Sequence, residues 1–297
     1  MPAAAVPSIG TDTEVRLADG RTIAYVGLGD PGGRPVLALH GSPASRLGFG
    51  FLHEPASALG LKVICPDRPG IGGSSPSPTP TVAAYAAGLA ELADALGIGD
   101  YAVLGYSCGG PYALAAAALA SGRVTAAATM AGVAGVDWPG ATEGLDPLDL
   151  RLVTWTTTHP RRARALLRLT RFLMRRMPGA SARSFVKNLS ESDRRAVAEL
   201  PDDGHAGLGF AAEAFRQGTA GVFDDYHRWG SPWGFDPAAT AVPVHIWQGD
   251  DDTLVPIAHA EHLVATTPGS VLHRLDGVGH VSIQEHAADI LASLTAH

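Results

Sequence analysis

Short apolar runs alternate with stretches of helical periodicity through the first third of the chain. Thr13 to Leu17 and Thr22 to Gly27 flank Ala18-Asp19-Gly20-Arg21, and an Asp-Gly pair between two such runs predicts a hairpin. Pro35 to Leu39 and Leu61 to Cys65 are apolar runs of strand length, and Ser45 to Leu59 between them suits a helix capped by Ser45. Thr81 to Leu96 predicts a helix, because Tyr85, Leu89, Leu92 and Leu96 recur at helical spacing. A strand at Tyr101 to Leu104, a helix at Tyr112 to Ala120 and a strand at Val124 to Met130 follow. From about Val133 to Asp236 no strand pattern is visible, and Trp138, Trp155, Trp229 and Trp233 fall in this stretch. Strand runs return at Val242 to Gln248 and Ser270 to Leu275, and a helical run follows each.

Strands that alternate with helices predict an α/β chain with a mostly parallel sheet covered on both faces. The helical stretch then reads as an insertion. The expected organisation is a core from 1–132, a helical cap from 133–236 and the rest of the core from 237–297. Ligands of such sheets bind outside the carboxyl ends of the strands. His40, Asp67, Ser107 and the loop from Ala131 each follow a predicted strand, so several polar groups should share one rim. Inside the insertion, Arg161, Arg162, Arg164, Arg168, Arg171, Arg175 and Arg176 interleave with Leu166, Leu167, Leu169, Phe172 and Leu173. The simplest reading is an amphipathic helix with a solvated basic face; a membrane-surface helix has the same pattern.

Composition narrows the classes. Of 297 residues 46% are hydrophobic, enough for a globular core, and the formal net charge of −7 argues against a nucleic-acid binder. No stretch is apolar for the length of a membrane span, and Met1 to Gly10 lacks the basic and apolar regions of a secretory leader. The two cysteines, Cys65 and Cys108, have neither metal-ligand spacing nor a disulfide framework, so a reducing cytoplasm is the expected setting and no metal is implied.

The candidate chemistry centres on Leu104-Gly105-Tyr106-Ser107-Cys108-Gly109-Gly110. It fits G-x-S-x-G between a predicted strand and a predicted helix, which places a serine on a sharp turn with its hydroxyl exposed. Serine needs a base, and the base needs an acid to fix its tautomer. Twelve histidines are available, so position must choose among them. His280, in Gly277-Val278-Gly279-His280 after the last strand, can reach over the serine. For the order Ser…Asp…His, the acid comes from Asp250, Asp251 or Asp252 after the penultimate strand, with Asp137 a remote alternative. At most one of three consecutive side chains should face the histidine. Pro256 is the expected first residue of the following helix. A tetrahedral oxyanion needs preorganised donors. The Cys108 N–H is one, and the Ser42 N–H of His40-Gly41-Ser42-Pro43-Ala44 is the other, since proline has none. His40 is read as positioning this loop at the edge of the pocket.

These blocks, together with Asp67-Arg68-Pro69-Gly70-Ile71-Gly72-Gly73-Ser74 and Gly249-Asp250-Asp251-Asp252-Thr253-Leu254-Val255-Pro256, make the chain resemble the α/β-hydrolase superfamily over residues 10–132 and 237–297. The resemblance implies a mostly parallel central sheet with helices on both faces and a helical cap. It also implies that Asp252, at the aspartate of a G-x-x-D-x-x-V-P loop, is the acid, and that Asp67 and Arg68 brace loops beside the site. Serine at the elbow, where dehalogenases and epoxide hydrolases of the fold carry aspartate, points to acyl transfer. His-Gly-Ser-Pro-Ala departs from the His-Gly-Gly-Pro-Gly usual in proline iminopeptidases and weakens that reading.

The expected function is a cofactor-free serine hydrolase of a carboxylic ester or lactone, using Ser107, His280 and Asp252 with Ser42 and Cys108 as oxyanion donors. Tyr106, Trp138, Phe215, Tyr226 and Trp229 are candidates for the pocket lining, or for the cap's own core. The same triad also serves C–C bond hydrolysis, perhydrolysis and biosynthetic cyclisation or thioester steps, and some members of the fold only bind ligands. A small-molecule substrate is the one partner implied, and the pattern leaves monomer and homodimer open.

Overall fold

The computed structural model describes residues 11–79, 81–120, 122–200 and 209–295; Met1 to Gly10, read above as lacking a leader, lie outside them. The Asp19-Gly20 turn joins β1 (Thr11–Arg16) to β2 (Thr22–Gly29), which pair antiparallel with Arg16 opposite Thr22. Gly20 takes φ 89°, the left-handed backbone that the turn requires. Then come β3 (Arg34–Leu39), α1 (His53–Ala58), β4 (Leu61–Pro66), α2 (Val82–Ala95), β5 (Tyr101–Tyr106), α3 (Gly110–Leu119) and β6 (Val124–Met130). Ser45 does cap the segment before β4, but the helix is split: Arg46–Leu52 is a 3-10 turn that runs into the short α1. Gly48 and Gly50 weaken an α-helix there.

The eight strands form one sheet in the order β1-β2-β4-β3-β5-β6-β7-β8. β2 runs antiparallel to both its neighbours, and all other pairs are parallel. The period of two in a strand sends alternate residues to opposite faces. Leu37, Leu39, Tyr101 and Val103 pack with Tyr85, Leu89 and Tyr112 on one side. Val36, Ala38, Ala102 and Leu104 pack with Phe49, Leu52 and Ile290 on the other.

Between β6 and β7 (Val244–Gly249) lies a helical insertion: α4 (Pro147–Thr158), α5 (Pro160–Arg176), α6 (Pro178–Lys187), α7 (Glu191–Ala198), α8 (Gly209–Ala214) and α9 (Ala220–Trp229). No strand interrupts it among the described residues. Local chemistry sets these helices. Proline stands in the first turn of α4, α5 and α6, where its missing N–H costs nothing, while Asp146 and Ser190 cap α4 and α7. The chain closes with α10 (Ile257–Thr266), β8 (Val271–Leu275) and α11 (Ala287–Ser293). Pro256 is the N-cap of α10 rather than its first helical residue. Among the described residues, no helix is long and apolar enough to cross a membrane.

The arginine-rich stretch is indeed α5, but its apolar side is only partly covered. Ala163 and Leu167 are buried, whereas Leu169, Phe172 and Leu173 face outward.

Candidate active site

The carboxyl ends of β3, β5, β7 and β8 bring the predicted polar residues to one rim. At the end of β5 the chain turns straight into α3, and Ser107 takes φ 54°. This left-handed backbone is sterically costly for a residue with a Cβ and is tolerated where the surroundings impose it. The surroundings here are glycines. A Cβ on Gly109 would lie 1.9 Å from the Leu39 carbonyl oxygen, and one on Gly105 would lie 2.4 Å from the Gly109 carbonyl oxygen. Only bare backbone lets β3, β5 and α3 approach so closely.

His280 is buried, and its Nδ1 donates to Asp252 Oδ2 at 2.8 Å. The His280 ring stacks on Tyr106, the neighbour of Ser107, with centroids 5.3 Å apart, and the Tyr106 hydroxyl donates to the His280 carbonyl at 2.7 Å. Among the described residues, no hydrogen bond joins His280 to Ser107. Burial opposes the imidazolium, but the Asp252 carboxylate beside it, helped by Asp193 and Asp149, outweighs burial and raises the His280 pKa.

Asp252 is held on both oxygens. Oδ1 accepts from the Leu254 and Val255 N–H groups at 2.8 Å, and Oδ2 accepts from Gln248 Nε2 at 2.9 Å as well as from His280. Its two neighbours point elsewhere. Asp250 accepts from the Gly277 N–H and pairs with Arg274, and Asp251 accepts from the Ser192 hydroxyl in the cap. Asp137 lies on the side of His262.

The loop after β3 packs against the elbow. A Cβ on Gly41 would lie 3.1 Å from Ser107 Cβ, and the Ser42 backbone amide faces the Cys108 thiol. His40 is buried with both ring nitrogens engaged: Nδ1 lies 2.7 Å from the Gly41 carbonyl, and Nε2 accepts from the Arg68 N–H. Burial, reinforced by Arg68, pushes its pKa down to about 3, so the ring is neutral with the proton on Nδ1. Arg68, fully buried, donates to the His40 and Gly41 carbonyls and forms a bidentate pair with Asp225 of α9. Arg228 shares that carboxylate and donates to the Tyr112 hydroxyl, while Asp225 also accepts from the Ser42 hydroxyl at 3.0 Å. The cap therefore anchors the loop that carries Ser42.

Two more cap carboxylates approach the site, and neither stood out in the sequence. Asp193 of α7 is fully buried and accepts from the backbone N–H groups of His280, Val281 and Ser282 at 2.8–2.9 Å, and from the Ser282 hydroxyl. Three converging N–H donors form a nest for one carboxylate, and it fixes the loop of His280. Gly279 makes room, because a Cβ there would lie 2.3 Å from Asp193 Oδ1.

Asp149 of α4 lies 2.5 Å from the Tyr226 hydroxyl, which also lies 3.0 Å from the Ser42 carbonyl. One phenolic proton cannot serve two acceptors. The conflict vanishes if Asp149 is protonated and donates to Tyr226, leaving the tyrosine proton for Ser42. Burial, with Asp146 adding to it against the Tyr226 bond, raises the Asp149 pKa to about 7. A raised carboxyl pKa means the folded state holds a proton that the unfolded chain releases. Stability is therefore lost as pH rises from the ordinary carboxylate value of 3.8 through about 7, and the loss is complete above that. Asp149→Asn keeps the donor and removes the charge. Its melting temperature should exceed the wild type's at pH 8 by roughly 2–4 °C for each 1 kcal/mol recovered, and the gap should close at pH 4. A wild type more stable than the variant at pH 8 would contradict a raised Asp149 pKa.

Of the predicted lining, Phe215, Tyr226 and Trp229 are buried in one cluster with Cys108, Val133 and Leu152. Trp229 donates its indole N–H to the Ala134 carbonyl. Tyr106 is committed to His280, and Trp138 stacks on His262 of α10.

Comparison with known proteins places the fold. Residues 34–287 match the sequence profile of the alpha/beta hydrolase fold. An esterase from Exiguobacterium antarcticum superposes with a TM-score of 0.68 at 18% identity, over 96% of this chain and 100% of that one. A bromoperoxidase from Bacillus anthracis gives 0.72 at 17%, over 97% and 100%. An alpha/beta hydrolase fold protein from Nakamurella multipartita gives 0.66 at 25%, over 95% and 99%. No curated protein sequence matches the chain.

Proposed function

Because the chain belongs to the α/β-hydrolase family, we propose that it is a serine hydrolase of carboxylic esters or lactones, with residues 133–236 as its cap. The observation that carries the proposal is the strained Ser107 at the end of β5, next in the chain to Tyr106, whose ring stacks on a histidine already oriented by a carboxylate. In this reading Ser107 Oγ attacks the substrate carbonyl while its proton passes to His280 Nε2. Asp252 holds Nδ1–H and stabilises the imidazolium. The Ser42 and Cys108 N–H groups hold the oxyanion. As the tetrahedral intermediate collapses, the C–O bond breaks and His280 protonates the leaving alkoxide. Water then attacks the acyl-enzyme, gives its proton to His280, and the acid departs as Oγ recovers that proton.

A fluorophosphonate probe with peptide mapping tests the nucleophile, and short and medium chromogenic acyl esters test the reaction. The expected result is one phosphonylated peptide, carrying the label on Ser107, and turnover of at least one ester. A label on another residue, or none, overturns the assignment of Ser107. A label on Ser107 without turnover of esters or lactones retains the nucleophile and overturns the ester reading.

A further inference from the structure

The stretch from α5 to α6, residues 160–187, carries nine of the chain's 22 cationic residues and no carboxylate, so the remainder holds all 29 acids against 13 cations. Among the described residues, three of these cations meet a partner: Arg164 lies over the Phe223 ring, Arg176 over the Phe172 ring, and Arg171 donates to the Phe215 carbonyl. None of the nine pairs with a carboxylate among the described residues. Along the same stretch, Phe172 is 56% exposed, Leu169 53% and Met177 51%, with Leu173 and Phe185 at 38%. Single exposed apolar residues need no explanation, but five within seventeen positions concentrate apolar surface on two successive helices.

The charge decides what can cover it. A second copy presenting the same stretch would set nine cations against nine. A nucleic acid would engage the arginines and leave Leu169, Phe172, Leu173 and Met177 in water. A lipid surface with anionic headgroups answers both features: the apolar side chains enter the headgroup boundary, and the long arginine stems reach back to the phosphates. We propose that the exposed side chains of α5 and α6 dock on anionic lipid bilayers. Ala163 and Leu167 of α5 pack on the rest of the cap, so docking would hold the cap against the membrane. The proposal does not depend on the chemistry assigned to Ser107.

The test is co-sedimentation of the full chain with vesicles of phosphatidylcholine alone and with about 30 mol% phosphatidylglycerol. The wild type should sediment with the anionic vesicles and not the neutral ones, and should be released by about 0.5 M salt. Phe172→Asp and the pair Arg168→Glu, Arg175→Glu alter only exposed side chains, so unchanged circular dichroism is expected. Each should weaken binding at least about tenfold, given about fivefold per cation near an anionic surface. Four results would overturn the proposal: no binding to either vesicle; equal binding to both; binding that Phe172→Asp leaves intact; or duplex DNA held as tightly as the vesicles. Dimerisation in solution that Phe172→Asp abolishes would assign the face to a second copy instead.

Discussion

Replacing Ser107 with alanine is expected to lower kcat/KM for any ester substrate by roughly 10⁴- to 10⁶-fold, while leaving the fold intact. The size follows from what one atom does. Without Oγ there is no covalent intermediate, and His280, Asp252 and the oxyanion donors lose the group they serve. Substrate binding and the N–H groups of Ser42 and Cys108 would leave only a residual acceleration over water. The strained backbone offers a control. Alanine retains a Cβ at φ 54°, so it should be about as stable as the wild type, whereas glycine is relieved of the penalty. Ser107→Gly should therefore melt above Ser107→Ala, by roughly 2–4 °C per 1 kcal/mol relieved, with both inactive. An alanine variant within tenfold of wild type would move the nucleophile elsewhere. A glycine variant that melts below alanine would show that the turn is not strained.

The core was legible because its signals are local. Apolar runs of strand length in β3 and β5, the Asp19-Gly20 turn, the helical spacing of Tyr85, Leu89 and Leu92 in α2 and the strand–Gly–helix junction at Ser107 are all set within a few residues. The failures arise where partners are distant in sequence. Asp193 looks like an ordinary acid in the first turn of a helix, and only the packing of α7 on the loop after β8 turns it into the acceptor for three backbone donors. Asp149 and Asp225 were equally silent, because a surface-type carboxylate on a helix carries no mark of the arginine or tyrosine it will meet. In α5 the periodicity marks an amphipathic helix, but a hydrophobic stripe does not say how much of it the rest of the fold will cover. The short 3-10 turn after Ser45 reflects glycines that a length criterion overlooks.

These cap carboxylates change how the site is understood. The elbow and the acid loop belong to the sheet, yet the loop of Ser42 is tied to Asp225 and Tyr226, and the loop of His280 to Asp193. The loops of the candidate oxyanion donor and of the candidate base are therefore both held by the insertion. The cap's docking in this structure is ionic and buried, and breaking one side of such a pair leaves an uncompensated charge. Substitutions at Asp225 should accordingly be read as effects on the oxyanion loop as well as on stability.

Asp252→Asn is expected to reduce kcat by about 10⁴-fold with little change in fold, and the hydrogen bonds around it say why. Oδ1 accepts from two backbone N–H groups, so an asparagine must place its carbonyl oxygen there. Its NH₂ then takes the position of Oδ2 and points at His280 Nδ1 and at Gln248. A donor facing Nδ1 makes that nitrogen the acceptor and moves the imidazole proton to Nε2, the atom that must accept from Ser107. Gln248 can accept from that NH₂ only by turning its amide, at the cost of its Nε2 bond to the Val255 carbonyl. The pH dependence gives an independent reading. A histidine pKa raised above 6.5 in the folded state means protonation stabilises the fold fully below 6.5, and this contribution is lost as pH rises through the folded value. The active form is the neutral one, so the acid limb of kcat/KM in the wild type should lie above pH 6.5. In Asp252→Asn the main charge that raises it is gone, and the residual activity should show an acid limb displaced to lower pH. A variant that keeps its rate, or loses it with no displacement of the acid limb, would detach Asp252 from the base and return the choice among the three aspartates to Asp250 and Asp251.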